Sequence, residues 1–487
     1  MATTGRADEG MNAEALARSS FGAFLTRIAT AVAVFGGVFY LASAAGASVL
    51  GVYSLFMALV RVVDLVTDAG FSTAAKKRIS EGDERDEFFT AALLVRLVVF
   101  AVVALVLVAF DEQVAAYVGY EMALPFLLVA ALAYLLQRMF DAGLTGEKRV
   151  ARAGLLQFVT NAGKLLAWVV LLTLGYGLFG VLLGVWVGLA LTVVAGVLLL
   201  SLRLRRPSRR HFESLFGFAK YSWMGVAQEA SWLWTDTLVL GVFVAPAFVG
   251  IYELSWQITG VLFFVASAIS TVLFATGSEL AARGERDAVR GLFERSLGYV
   301  GIMAIPGFVG GVVFAESILA AFGEEYRAGA LALVVLILAR VFHSYEVVFG
   351  RVIEALDRPD LTFRTNALFI TLNVSLNVLA ISTVGWVGAA FATTTAMVVR
   401  TGLSYYYIRS ILAFSVPTRE IGLEVLAALL MGGCLWLLAP EGLLSVPSLV
   451  FWVCVGAGIY AVAVLALIER IRVEALGLAV ANARALL

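Results

Sequence analysis

The chain has 487 residues, of which 61% are hydrophobic and 14% charged, and its mean hydropathy is +0.95. Soluble domains average about 45–50% apolar and about 25% charged residues, and a soluble core cannot hide such an excess because surface grows too fast with size. The 35 Lys and Arg balance the 35 Asp and Glu, no basic tail suits nucleic acid, and the expectation is an all-α polytopic membrane protein.

Residues 1–24 are polar, with Asp8, Glu9 and Glu14, and read as a cytoplasmic N-terminal segment. The apolar run 28–48 ends in Ala42-Ser43-Ala44-Ala45, which resembles a signal-peptide cleavage site. Its length and the acidic segment before it make it an uncleaved first span. A span needs about twenty mostly apolar residues. Fourteen candidates follow, near 25–46, 49–70, 89–110, 122–143, 153–174, 178–201, 216–243, 249–275, 293–315, 328–350, 363–383, 386–408, 420–438 and 448–469.

Loop charge tests that count. With the N-terminus in the cytoplasm, Lys76, Lys77, Arg78 and Arg85 fall inside. So do Arg138, Lys148, Arg149 and Arg152, the arginines of 203–210, and Arg283, Arg286, Arg290 and Arg295. Arg351, Arg358, Arg364, Arg409, Arg419, Arg470, Arg472 and Arg484 complete the set. The opposite loops hold Asp111, Glu112, Glu121, Glu316, Glu324, Glu325 and Glu441 against one cation, Arg327. This is the positive-inside pattern, and it predicts a plasma-membrane protein with both termini cytoplasmic. The outer loops are short, which leaves no room for a catalytic domain, so no enzyme activity is expected.

A repeat divides the chain. Gly51-Val52-Tyr53-Ser54-Leu55 opens span two and Gly250-Ile251-Tyr252-Glu253-Leu254 opens span eight. Residues 146–184 and 356–392 form a second pair, each running from a basic loop through an Asn-bearing helix to a Gly-rich turn. Matched helices enter from the same side, so the halves are parallel copies. They are expected to be two six-helix lobes about a pseudo-twofold axis along the membrane normal, with a cavity between them. The predicted organisation is an N-lobe at 25–202, a basic linker at 203–215, a C-lobe at 216–409, and spans thirteen and fourteen with a cytoplasmic C-terminus at 410–487.

Ionisable residues inside spans cost about 2.5–3.5 kcal/mol each at the centre on insertion scales. Arg61, Lys164, Arg340 and Arg400 lie near mid-depth, two per half, whereas Arg96 and Lys220 sit closer to the ends and are expected to snorkel. Arg61, Asp64 and Asp68 share one face of span two. Span five carries Gln157, Asn161, Lys164 and Trp168; span seven carries Gln228, Glu229, Trp232 and Asp236. Span ten has Arg340, His343 and Glu346, and span eleven Asn366, Asn373 and Asn377. One reading is internal glue, with Arg61 paired to Asp64 and asparagines bonded between helices. The other is a hydrated cavity whose cations meet an anionic group, phosphate or pyrophosphate fitting arginine best.

Asp236 and Glu229 are the candidates for ion or proton coupling, while His343, Trp223, Trp232, Trp234 and Trp256 are read mainly as packing or interfacial residues. Pro125 and Pro306 are candidate kinks in spans four and nine. Cys434 and Cys454 are read as small buried hydrophobes, and no metal site is expected. No GxxxxGK[ST] occurs, so P-loop ATP binding is not expected. No cofactor is expected, and a gradient of H+ or Na+, the membrane potential or downhill flow would drive any transport.

Three stretches carry a resemblance: 51–80 (GVYSLFMALVRVVDLVTDAGFSTAAKKRIS), 234–258 (WTDTLVLGVFVAPAFVGIYELSWQI) and 372–398 (LNVSLNVLAISTVGWVGAAFATTTAMV). Over roughly 20–410 the chain resembles the polysaccharide-transporter (O-antigen flippase) branch of the multidrug/oligosaccharidyl-lipid/polysaccharide exporter superfamily. The resemblance implies two six-helix lobes in a V, two added C-terminal helices and alternating access. It implies a polyprenyl- or dolichyl-phosphate-linked oligosaccharide as substrate, with membrane lipids and glycan-assembly proteins as partners. The alternatives are a cation-coupled multidrug extruder of the same superfamily and a membrane-embedded glycosyltransferase or ligase.

Overall fold

The computed structural model describes residues 4–474 and 477, without the side chains of 4–25, 27, 28, 224 and 229. The expectations for segment 1–24, for Glu229 and for Arg484 therefore lie outside the described residues or side chains. Every described element is helical. The first unit holds α1 (Thr4–Asp68), α2 (Phe71–Glu81), α3 (Arg85–Ala109) and α4 (Asp111–Val118). It continues with α5 (Ala123–Gly146), α6 (Val150–Thr173), α7 (Gly177–Leu199) and α8 (Arg209–Phe243). Then come α9 (Pro246–Val261), α10 (Phe264–Ala282), α11 (Arg286–Leu297), α12 (Ala304–Ala320) and a 3-10 turn at Glu324–Gly329. The chain ends in α13 (Ala330–Ala355), α14 (Pro359–Val384), α15 (Gly388–Ile411), α16 (Thr418–Leu438) and α17 (Val446–Leu467).

Ten helices among the described residues are long and apolar enough to cross a membrane. One of them, Ala29–Asp68, has 40 residues, about twice the length a bilayer core requires. It bends at Gly46 (φ 80, ψ 173), where the first two expected spans part. The expected segments without their own member of the ten coincide with α8, α12 and α15. Of these, α12 is apolar but short, and α8 and α15 carry many polar residues. Outward faces are apolar: Val98, Val102, Leu105 and Val106 of α3 are exposed, as suits a lipid solvent.

Contacts part the chain at Gly250, giving units Met1–Gly250 and Ile251–Leu487. The expected boundary at 203–215 is not where they divide, because α8 packs on α1, α2, α3 and α4. Within the first unit, the Tyr117 hydroxyl donates to the Leu238 carbonyl at 2.9 Å. The linker before α8 is tied down rather than loose. The Arg203 N–H donates to Asp86 (3.1 Å) and the Arg205 N–H to the Thr90 hydroxyl (3.1 Å). The Arg205 guanidinium lies 3.2 Å from Asp86, and Asp86 sits in the first turn of α3, where the helix dipole favours an anion.

Three sequence expectations change. Pro125 stands in the first turn of α5, where an amide proton has no helix partner anyway, so it makes no kink. Pro306 stands just inside α12 beyond a turn at 298–303, so span nine is broken rather than bent. Cys434 is half-buried and Cys454 exposed, because both lie on outward faces of α16 and α17 rather than in the core. Span eight is also divided, between α9 and α10, by a tight turn in which Leu262 and Phe263 bond three residues back.

Glycine has a steric task in the repeated motif. A Cβ on Gly51 would lie 1.7 Å from the Pro246 carbonyl oxygen, and one on Gly250 would lie 2.0 Å from the Ala47 carbonyl oxygen. Backbone meets backbone here, so neither neighbour can turn aside. Gly51→Ala and Gly250→Ala are expected to abolish the monodisperse size-exclusion peak of detergent-solubilised protein. Gly402→Ala in α15, with nothing within 4 Å, keeps the peak and stabilises the helix by roughly 0.5–1 kcal/mol.

Candidate functional site

In the first unit, the acidic stripe of α1 takes its closest cation from another helix. Arg96 of α3, fully buried, inserts between Asp64 (2.7 Å) and Asp68 (3.3 Å). Its Nη1 also donates to the Ser72 hydroxyl at 2.7 Å. Ser72 returns its N–H to Asp68 at 3.0 Å, and its hydroxyl bonds the same carboxylate. This closure is local: Ala69 and Gly70 take positive φ and turn the chain so that α2 starts over the end of α1. Arg138 of α5 approaches Asp64 at 3.6 Å, and Arg61 acts on the same carboxylate from its own helix. The snorkelling expected of Arg96 is corrected: two buried carboxylates hold it in the protein interior, where a lone charge would be costly.

Arg61 also stacks on aromatic rings, with its guanidinium carbon 4.1 Å from the Tyr134 centroid and 5.7 Å from that of Trp234. Lys164 of α6 donates to the Tyr53 hydroxyl at 3.2 Å and lies 4.9 Å from the Trp168 ring. Tyr53 and Trp168 meet edge to face at 5.1 Å, and the buried Trp168 donates its indole N–H to the Val181 carbonyl. Lys164 therefore sits in a rigid aromatic corner. Asn161 is bonded to the Gln157 carbonyl in its own helix (2.8 Å). Gln157 lines a cavity of about 450 Å³ with Thr30, Asp141 and Thr145. Gln228 is half-buried and Asp236 buried in α8.

In the second unit, Arg340 of α13 lies 4.5 Å from the Trp256 ring and 5.5 Å from that of Phe263. It donates to the Thr259 hydroxyl at 3.2 Å. His343 stacks flat on Phe263 at 4.4 Å and contacts Arg340 at 3.3 Å, a packed position. Arg400 of α15 differs in kind. Its Nε is 2.9 Å from Glu346, its Nη2 donates to Asn366 at 3.1 Å, and Phe369 covers it at 5.1 Å. Asn373 donates to Thr393 at 3.2 Å and Asn377 to the Asn373 carbonyl at 2.8 Å. The Asn373 bond stitches α14 to α15, as the packing reading expects, whereas the Asn377 bond stays within α14. Among the described residues, no three His, Cys, Asp or Glu side chains gather into a metal-ligating group.

Sequence reasoning passed over Tyr53 and Tyr134, and treated Trp234 and Trp256 as belt residues. Tyr53 was within reach, since it belongs to the repeated Gly-x-Tyr motif and enters the same face as the span-five stripe. Tyr134 offered no signal, being one aromatic in an apolar helix.

Residues 46–331 match the family described as polysaccharide biosynthesis protein. Among curated relatives, the probable low-salt glycan biosynthesis flippase Agl15 of Haloferax volcanii is 29% identical over 425 residues, 86% of this chain and 89% of that protein. The probable flippase AglR of the same organism is 29% identical over 468 residues, 94% of this chain and 97% of that protein. Among solved structures, lipid II flippase MurJ in an inward closed conformation aligns with a TM-score of 0.73 at 16% identity, covering 91% of this chain and 97% of that one. An inward-facing multidrug resistance MATE family transporter of the MOP superfamily aligns at 0.63 and 14% identity, covering 78% and 95%. These structures share the polytopic two-lobe fold.

Removing Arg96 would leave Asp64 and Asp68 buried without their principal cation. Arg96→Leu is expected to cost about 3–5 kcal/mol, read as a lowered unfolding midpoint of the purified protein. Arg96→Leu combined with Asp64→Asn and Asp68→Asn should recover most of that loss.

Proposed function

The chain belongs to the polysaccharide biosynthesis protein family, and on that premise we propose that it is a flippase for a polyprenyl- or dolichyl-(pyro)phosphate-linked oligosaccharide. It carries the lipid-linked glycan from the cytoplasmic to the outer leaflet of the plasma membrane, for surface polysaccharide or glycoprotein biosynthesis. The headgroup site opens to each membrane face in turn, and both termini stay cytoplasmic. The activity is transport, with no covalent step. The flippase names of two relatives that align over most of their length support this reading.

The observation that carries it is the set of membrane-embedded cations held on aromatic faces: Arg61 on Tyr134, Lys164 on Trp168, and Arg340 on Trp256. A cation–π contact contributes about 2 kcal/mol when desolvated, which offsets much of the cost of placing the charge in the membrane. Such a contact uses the face of a guanidinium. The N–H groups lie in its plane, and such an edge matches two phosphate oxygens. At Arg340 the anion would displace the Thr259 hydroxyl from Nε and Nη2. Lys164 offers a point charge to an anionic group. Aromatic rings beside the cations suit the apolar faces of sugars. Arg400, already ion-paired to Glu346, joins α14 to α15 and is not part of the phosphate set.

Hydrogen bonds to charged groups contribute about 1.5–3 kcal/mol. Arg61→Ala or Arg340→Ala is therefore expected to lower glycan export about tenfold or more while the protein still inserts. The readout is surface glycan in a deletion strain carrying each variant. The deletion itself should accumulate a lipid-linked glycan facing the cytoplasm. Loss of one sugar linkage with normal translocation would instead mark an enzyme, and normal glycan in both variants would remove these cations from the site.

A further inference from the structure

One buried acid stands apart from every cation described above. Glu424, the seventh residue of α16, is fully buried, and neither of its carboxyl oxygens has a hydrogen-bond partner. The hydroxyls of Tyr345 on α13 and Tyr460 on α17 are buried without a partner as well. A methyl placed on Gly301, just before α12, would lie 2.6 Å from the Tyr345 hydroxyl and 2.9 Å from Glu424 Oε2. Both oxygens thus converge on the space over a bare glycine. The wall around them is apolar, with Ile305, Ala427, Ala428, Met431 and Val464.

Among the described residues, no counter-charge reaches this carboxyl. Glu420, one turn earlier on the same helix, acts on it with the same sign. Tyr345 faces it from α13 and Tyr460 from α17, and the approach from the α12 side is Gly301 and Ile305. Among the described residues, no Lys, Arg or His acts on Glu424. An unpaired ionised carboxylate in an apolar site is among the costliest arrangements a protein can hold. The donor atoms are all oxygens, which select a hard cation over a soft one. One carboxylate balances one positive charge, so a divalent ion would remain uncompensated.

We propose that Glu424, Tyr345 and Tyr460 form a binding site for a single monovalent cation, sodium or the proton, that drives the transport cycle. The coupling role rests on the flippase reading; the binding does not. A cation held here is gripped by α13, α16 and α17 against the glycine before α12, so loading and release alter how those helices pack.

Thermal unfolding of the full-length protein in detergent tests the site, with choline chloride replaced stepwise by sodium chloride at acid and at alkaline pH. Wild type is expected to gain stability with sodium at alkaline pH, following mass action. A gain on acidification with indifference to sodium identifies the proton instead. Glu424→Gln loses the gain in either arm while eluting as the same monodisperse species. Tyr345→Phe and Tyr460→Phe each move the half-saturating sodium concentration upward, or the pH midpoint if the proton is the ligand. A wild type that answers neither cation beyond the Glu424→Gln protein overturns the site. If Glu424→Gln does not fold, an unchanged response in both Phe variants overturns it equally. None of these readouts depends on glycan export, so the site and the flippase reading fail separately.

Discussion

A charge placed inside a membrane protein has to be answered, because neither lipid nor a packed core can solvate it. This chain answers its charges in three ways, and the differences sort its polar residues by role. Arg96 and Arg400 are answered by carboxylates. Those pairs hold helices together, and their charge is already committed. Arg61, Lys164 and Arg340 lie on aromatic rings, which lower the cost of the charge. Glu424 is answered by nothing described in the protein. On the readings proposed above, structural, substrate-facing and ion-facing groups differ in the chemistry of their neighbours.

Much of this was legible in the sequence. Helical periodicity placed Arg61, Asp64 and Asp68 on one face, and they do share it. The break between the first two spans was readable because an apolar run of that length exceeds one bilayer crossing, and glycine marks the point. The repeated Gly-x-Tyr motif was visible, although its reason, main chain pressed on main chain at Gly51 and Gly250, belongs to three dimensions. Partner choice was not legible. Nothing in a one-dimensional pattern says that Asp64 takes its closest cation, Arg96, from thirty-two residues away.

Other features were hidden for identifiable reasons. Glu424 lies near a helix end, where an acidic residue ordinarily reads as loop-facing, and only the packing of α12 and α17 on α16, with Tyr345 of α13, buries it. Arg96 looked peripheral by the same logic of position along a span. Depth counted from a helix end fails when the end itself is enclosed, as α3 is by α2, α5 and α8. The division of span eight carries no proline. It rests on a three-residue turn beside Thr259 and Phe263, the same residues that brace Arg340.

The strap that runs from α7 into α8 is fastened to α3 by main-chain amides at Arg203 and Arg205. Any residue except proline supplies such an amide. Drift at position 203 can therefore proceed without loosening the strap, whereas Asp86 and Thr90, which accept through their side chains, cannot change so freely. Among relatives of this chain, position 203 should wander in identity while the receiving side stays acidic or hydroxylic, an asymmetry of evolutionary tolerance built into one short stretch of extended backbone.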